Sequence, residues 1–268
     1  MKELSFLLRH FFTHKDFLPA AKEIPGTLWT PLHLVFEAVL LAIIVAGAVH
    51  VARHKEKIRP VFLTLWVVML VWEVAIIAWE SLAGATIGMD WAISLSLYPC
   101  SLYLYTMPLV LWGKGTAKKM AYGYFCTLGM LGAVVNFVYP ATRLVDYSCI
   151  SFAGLHTFCF HGTLLFTFLV LVLSGTHCYT GVSRWQELFL PCVPSLLLSI
   201  PANLVNYSKI HGDYMYFRGE FPLLSAIFGN TPAPVITVVL YALYIFVPAL
   251  FYLPSYLHHQ HGLRTAVC

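Results

Sequence analysis

Long apolar runs separated by short charged or Gly/Pro-containing connections set the pattern of the chain. Seven can be drawn, at approximately residues 32–52, 60–83, 91–112, 120–138, 153–174, 187–205 and 232–253. About 20 consecutive apolar residues cross the ~30 Å hydrocarbon core of a bilayer as a helix, and runs of this kind mark transmembrane segments. The pattern predicts an all-α, polytopic membrane bundle of about seven helices over 32–253, the fourth and sixth being short for a span. Residues 1–31 instead mix Phe6, Leu7, Leu8, Phe11, Phe12, Phe17 and Leu18 with Lys2, Arg9, Lys15 and Lys22. That mixture suits an N-terminal interfacial amphipathic helix; a disordered tail is the alternative. Residues 254–268 are expected to form a short C-terminal tail. No internal repeat, low-complexity tract or second domain interrupts this plan.

Composition agrees. The chain is 59% hydrophobic and 10% charged, whereas soluble domains carry roughly 25% charged residues, and its mean hydropathy is +0.77. The net charge of +4 is dispersed over loops, which argues for topology and against nucleic acid as a partner. Seven cysteines without a CxxC pair do not form a disulfide framework, and the basic residues among the first 25 leave no signal-peptide core.

Charge distribution predicts orientation. Arg53, Lys55, Lys57, Arg59, Lys114, Lys118, Lys119, Arg184 and Arg264 fall on one side. Arg143, Lys209 and Arg218 fall on the other, with the four basic residues of the N-terminal segment. The positive-inside rule then puts the N-terminus outside or in a lumen and the C-terminus in the cytoplasm. The polar stretch 206–222 lies on the outer side and is long enough to fold over the mouth of the bundle.

Ionisable groups inside spans are costly and therefore candidates for function. Glu73 in the second run, Cys100 in the third and His161 in the fifth all fall roughly 12–15 Å below the outer surface at ~1.5 Å per residue. An acid, a thiol and an imidazole from three helices thus share one level. A thiol attacks as its thiolate, an imidazole takes the thiol proton, and a carboxylate orients an imidazole. Pro99, just before Cys100, removes a helical hydrogen bond and kinks the helix, and such backbone at membrane depth borders a cavity. Cys100 is thus either a nucleophile beside a pocket or a small packing residue; Cys126, Cys159 and Cys192 are expected to pack. His156 and His161 point about 140° apart on a helix, so one should serve chemistry while the other braces a helix contact or reaches a loop. Gly162 permits close approach of a neighbouring helix. Glu73 either orients a catalytic histidine or braces the bundle, and Glu80, near the surface, is expected to be solvated.

Four stretches carry a resemblance. Val71-Trp72-Glu73-Val74, Tyr98-Pro99-Cys100, the pair His156 and His161-Gly162, and Asn203-Leu204-Val205-Asn206 followed by Gly212-Asp213-Tyr214-Met215-Tyr216 resemble, in order and spacing, the YwaF-like integral membrane proteins and transmembrane protein 164. The bacterial members carry Pro and His ahead of the cysteine, where this chain has Ser96 and Tyr98; the eukaryotic relative carries Asn-Pro-Cys. The resemblance implies a lipid acyltransferase with Cys100 as nucleophile and His161 as base, moving fatty acyl chains between phospholipids and lysophospholipids. Glu73, His156 and Tyr98 would support them, while Asn203, Asn206, Tyr214 and Arg218 would contact the headgroup or, alternatively, cap loops. The partners expected are phospholipid, lysophospholipid and membrane lipid, with no cofactor or metal. A lipid ester hydrolase using the same residues, or a non-enzymatic receptor or transporter, are the rival readings.

Overall fold

The protein is described by a computed structural model covering residues 2–84, 95–176, 182–208 and 212–260. The described residues are helical, without strands. Predicted span residues 91–94, along with Lys209, His211, His261 and Arg264, lie outside the described residues.

Among the described residues, six helical stretches are long and apolar enough to cross a membrane: Pro31–Arg53, Lys55–Ala83, Gly115–Val138, Phe152–Leu173, Trp185–Asn206 and Ala233–Gln260. The protein is therefore an integral, multi-pass membrane protein. Local chemistry sets several helix ends. Helix α1 (Lys2–Arg9) is a short amphipathic helix. Helix α2 (Pro31–Arg53) opens on Thr30, whose hydroxyl accepts from the His33 N–H, with Pro31 at the first helical position, where its missing N–H costs nothing. Helix α3 (Ile58–Ala83) stops at Gly84.

The third predicted span is the one that changes. Helix α4 begins only at Leu102 and ends at Trp112, so its 11 residues reach about half a hydrocarbon thickness. Residues 95–101 are bends and turns. Pro99 lacks a donor and disfavours the helical region for the residue before it. The chain turns there through Ser101 N–H to Tyr98 O (3.0 Å) and Tyr103 N–H to Cys100 O (3.0 Å). The Ser96 hydroxyl meets Glu73 of α3, and the Trp66 indole donates to Leu104 O. The irregular stretch thus runs alongside α3 at mid-depth rather than forming a kinked continuous helix.

Helix α5 (Gly115–Tyr124) and helix α6 (Met130–Val138) are joined by a π turn at Phe125–Gly129 into one spanning unit. Helix α7 (Ala141–Leu144) leads to helix α8 (Phe152–Leu173), which is capped by the Ser151 hydroxyl accepting from Gly154 N–H. Helix α8 is the centre of the bundle, packing against α2, α3 and α6. A Cβ on Gly162 would sit 2.9 Å from Ile44 Cδ1 of α2, the close approach expected of that glycine. A 3-10 stretch, Trp185–Cys192, enters helix α9 (Val193–Asn206). Helix α10 (Pro222–Phe228) precedes helix α11 (Ala233–Gln260), which carries Pro248 and Pro254 inside it. The first part of the expected C-terminal tail, up to Gln260, therefore continues this last helix.

The N-terminal segment is packed rather than loose. It crosses the bundle end formed by the C-terminus of α3 and the N-terminus of α8. Trp79 donates its indole N–H to Phe12 O (3.0 Å), Phe152 N–H bonds to Phe11 O, and Cys149 N–H to Gly26 O. His14 and Ile24 are buried.

Candidate active site

A cavity of about 500 Å³ opens at this same bundle end. Its rim includes Lys15, Arg143, Asp146 and Glu220, and its inner wall includes Glu73, Tyr98, Cys100, His156 and His161. Glu73, Ile76, Ile77 and Glu80 line it from α3, with the i, i+3/i+4, i+7 spacing of one helix face. Glu73 lies seven residues below Glu80, hence ~10 Å deeper.

Cys100 sits on the irregular stretch, just before α4, and is partly exposed to the cavity. Cys126, Cys149 and Cys192 are buried; Cys159 is partly buried but does not line the cavity. Tyr98 lies with its ring centroid 5.1 Å from that of Tyr214 and 5.4 Å from that of Tyr216, which closes the wall beside Cys100.

Both histidines border this one cavity, and His156 also makes a helix contact, to Glu73 of α3. His161 Nδ1 lies 2.8 Å from Thr157 O. A carbonyl only accepts, so Nδ1 carries the hydrogen and Nε2 holds the lone pair. Among the described residues Nε2 has no partner and is not sealed off. His156 Nε2 lies 2.9 Å from Glu73 Oε2, and the other Glu73 oxygen accepts from the Ser96 hydroxyl at 2.6 Å. Glu73 therefore serves His156 and the stretch bearing Cys100, not His161, which its own helix backbone orients.

One expectation is corrected. Glu80 is buried rather than solvated: it pairs with Arg143 and lies 3.6 Å from His14 Nε2. A lone carboxylate at that depth would be costly, and the Arg143 guanidinium offsets the cost. Asn203, Asn206, Tyr214 and Arg218 are not among the residues that line the cavity, and they make bonds within the protein, although Asn203 Oδ1 is buried without a partner among the described residues. Asn203 donates to the Tyr241 hydroxyl (2.7 Å). Asn206 donates to Tyr214 O (2.8 Å) and accepts from Tyr214 N–H (2.7 Å). The Tyr214 hydroxyl accepts from Leu95 N–H. Arg218 bonds Glu220 and Asn206 O, while Asp213 accepts from the Arg218 and Glu220 N–H groups. Burial raises the Asp213 carboxyl above its ordinary range, against those two donors.

This network holds the loop in a demanding shape. Met215 and Tyr216 adopt φ of 57° and 59°, a left-handed conformation that non-glycine residues enter only when their surroundings enforce it. Asn206→Ala would remove the acceptor of Tyr214 N–H and one of the donors to Tyr214 O, which also accepts from Phe217 N–H. It is expected to lower stability by about 2 kcal/mol, read as a fall in thermal midpoint in detergent. An unchanged midpoint with weakened lipid binding would return Asn206 to the headgroup role.

The residues that sequence reasoning passed over are Ser96, Arg143, Lys15 and Thr157. Ser96 and Glu73 are 23 residues apart and Arg143 and Glu80 are 63 apart, and no local pattern joins either pair. Thr157 was findable in principle: it lies one turn before His161, where a backbone carbonyl meets a side chain at i+4.

No curated protein and no solved structure matches the chain. The model of the TMEM164 family matches residues 27–255, most of the chain and all the elements that form the cavity except the strap ahead of α2. On that match, the chain belongs to the TMEM164 family.

Proposed function

We propose that the cavity carries out lipid acyl transfer through a cysteinyl thioester. One observation carries the reading: Cys100 and His161, from different elements, border one cavity inside a membrane bundle, and His161 presents an unshared Nε2 lone pair there. His161 Nε2 takes the thiol proton as the sulfur attacks a phospholipid ester carbonyl. The C–O bond breaks, and the imidazolium returns the proton to the departing lysophospholipid. The hydroxyl of an acceptor lysophospholipid then attacks the thioester and regenerates the thiol. Ile76, Ile77 and Phe160 give this part of the wall apolar surface for an acyl chain, and limited water there disfavours hydrolysis of the thioester. Lys15 and Arg143 at the rim replace Arg218 as the candidate phosphate contacts.

The basic loops at the far end of α2 and α3 support a cytoplasmic position for that end, and on that reading the mouth, with the N-terminal strap, faces outside or a lumen. The polar rim of Lys15, Glu80, Arg143 and Asp146 also admits water, which favours a second reading, ester hydrolysis by the same residues.

The test is intact mass of the purified protein in nanodiscs after incubation with mixed phospholipids, with peptide mapping. An acyl increment on Cys100 is expected. No increment with any phospholipid, together with saturable binding of a polar solute, would replace the enzyme with a receptor or transporter. Transfer to added lysophospholipid, against release of free fatty acid, separates transferase from hydrolase.

A further inference from the structure

The two histidines are held in opposite ways. His161 donates Nδ1–H to a backbone carbonyl of its own helix. His156 bonds a carboxylate through Nε2, and a carboxylate with two acceptor bonds already accounted for is a hydrogen acceptor. The His156 hydrogen therefore sits on Nε2 and its lone pair on Nδ1. Among the described residues, Nδ1 has no bonding partner and is not sealed away. One cavity is thus supplied with two imidazoles, each with a lone pair available, where transfer from a thiol needs only one.

Acyl transfer has two halves with unequal demands. The thiol of the first half gives up its proton far more readily than the alcohol of the second. A carboxylate stabilises the imidazolium created by proton uptake; a single backbone carbonyl does so less. We infer that His156, oriented by Glu73, is the acid–base catalyst for the acceptor half of the transfer, while His161 serves the thiol half. This rests on the acyl-Cys100 reading given above.

In the acceptor half, His156 Nδ1 takes the proton of the lysophospholipid hydroxyl as its oxygen attacks the thioester carbonyl carbon. The tetrahedral intermediate collapses, the C–S bond breaks, and the proton passes from Nδ1 to the leaving sulfur. The new ester and the free thiol are the products, with no net proton change. Glu73 is a positioning residue. It fixes the His156 tautomer, and through Ser96 it holds the stretch bearing Cys100 against α3.

The test separates the halves. Wild-type protein, His156→Asn and Glu73→Gln are each incubated with a labelled phospholipid, and acyl-Cys100 is followed by intact mass before and after addition of lysophospholipid. Both variants are expected to acylate Cys100 within a few-fold of the wild-type rate. His156→Asn should then discharge to lysophospholipid roughly 10²–10⁴-fold more slowly, so the adduct accumulates. Glu73→Gln loses the charge and keeps one acceptor: with its amide oxygen on His156 Nε2–H, its NH2 donates to the Ser96 hydroxyl oxygen, and it should show a smaller slowing of the same step. Hydroxylamine, which attacks thioesters without a base, should discharge both variants at the wild-type rate. A purely structural role would not give this rescue.

Acyl-adduct formation reports that a variant is folded. If His156→Asn forms no adduct, Glu73→Gln decides. Loss of adduct formation in step with transfer in both variants overturns the division of labour. So does discharge at the wild-type rate, and so does a hydroxylamine reaction slowed as much as the lysophospholipid one. Absence of adduct in the wild-type protein would instead remove the acyl-enzyme reading itself.

Discussion

Cys100→Ala is expected to abolish acyl-adduct formation and to lower acyl transfer by about 10³-fold or more, the scale on which removal of a covalent nucleophile is felt. The fold should survive. Cys100 is partly exposed to the cavity and lies before α4 rather than inside a packed helix. Trimming its sulfur removes little buried contact, so stability should shift by less than about 1 kcal/mol. Cys159→Ala is the matched control, because Cys159 lies on α8 and does not line the cavity; it should retain transfer. Radiolabelled phospholipid and lysophospholipid in nanodiscs provide the measurement. Full activity in Cys100→Ala would remove both the transferase and the hydrolase readings at once.

His161→Gln has the second largest expected effect, a loss of roughly 10²–10⁴-fold in the rate at which Cys100 becomes acylated. Glutamine roughly preserves volume, and its amide retains a donor for Thr157 O, now 2.8 Å from Nδ1. It has no proton-accepting nitrogen at the Nε2 position. The thiol proton then has no base to receive it, and the departing lysophospholipid has no acid to protonate it. A time course of adduct mass reads this directly. A wild-type time course would mean that another group deprotonates Cys100, and His156 across the same cavity would be the first to examine by double substitution.

Much of the site was legible one residue at a time. Glu73, Cys100 and His161 stand out because ionisable groups are rare at membrane depth, and depth follows from counting residues along a helix of known rise. Their shared cavity agrees with that count. Pairing was not legible. Counting gives level but not partner, and Glu73 could have met either histidine. Its choice of His156 depends on how α3 and α8 rotate about their own axes, which packing decides. The third span failed for a related reason. Residues 95–101 are apolar enough to pass a hydropathy window, which scores composition and is blind to backbone. Pro99 marked the position of the break but not its extent.

The loop residues show the converse. Asn206 and Tyr214 were recognisable as special, since polar groups there need partners, yet their partners proved to be each other. Short sequence motifs can mark structural staples as readily as ligand contacts. Glu80 differed because its neighbours, Arg143 and His14, arrive from distant segments that fold over the same bundle end.

The sequence by itself determined that this chain crosses the membrane many times, that its termini and loops carry an uneven charge, and that an acid, a thiol and an imidazole lie at comparable depth. Hydrophobic run length and residue rise are local quantities, and they suffice for those conclusions. Tertiary structure decided that the third apolar run is a half-helix with Cys100 at its entry, that Glu73 binds His156, and that both imidazoles offer a lone pair to one cavity. Those outcomes depend on helix rotation and on contacts between residues far apart in the chain, which no local pattern encodes.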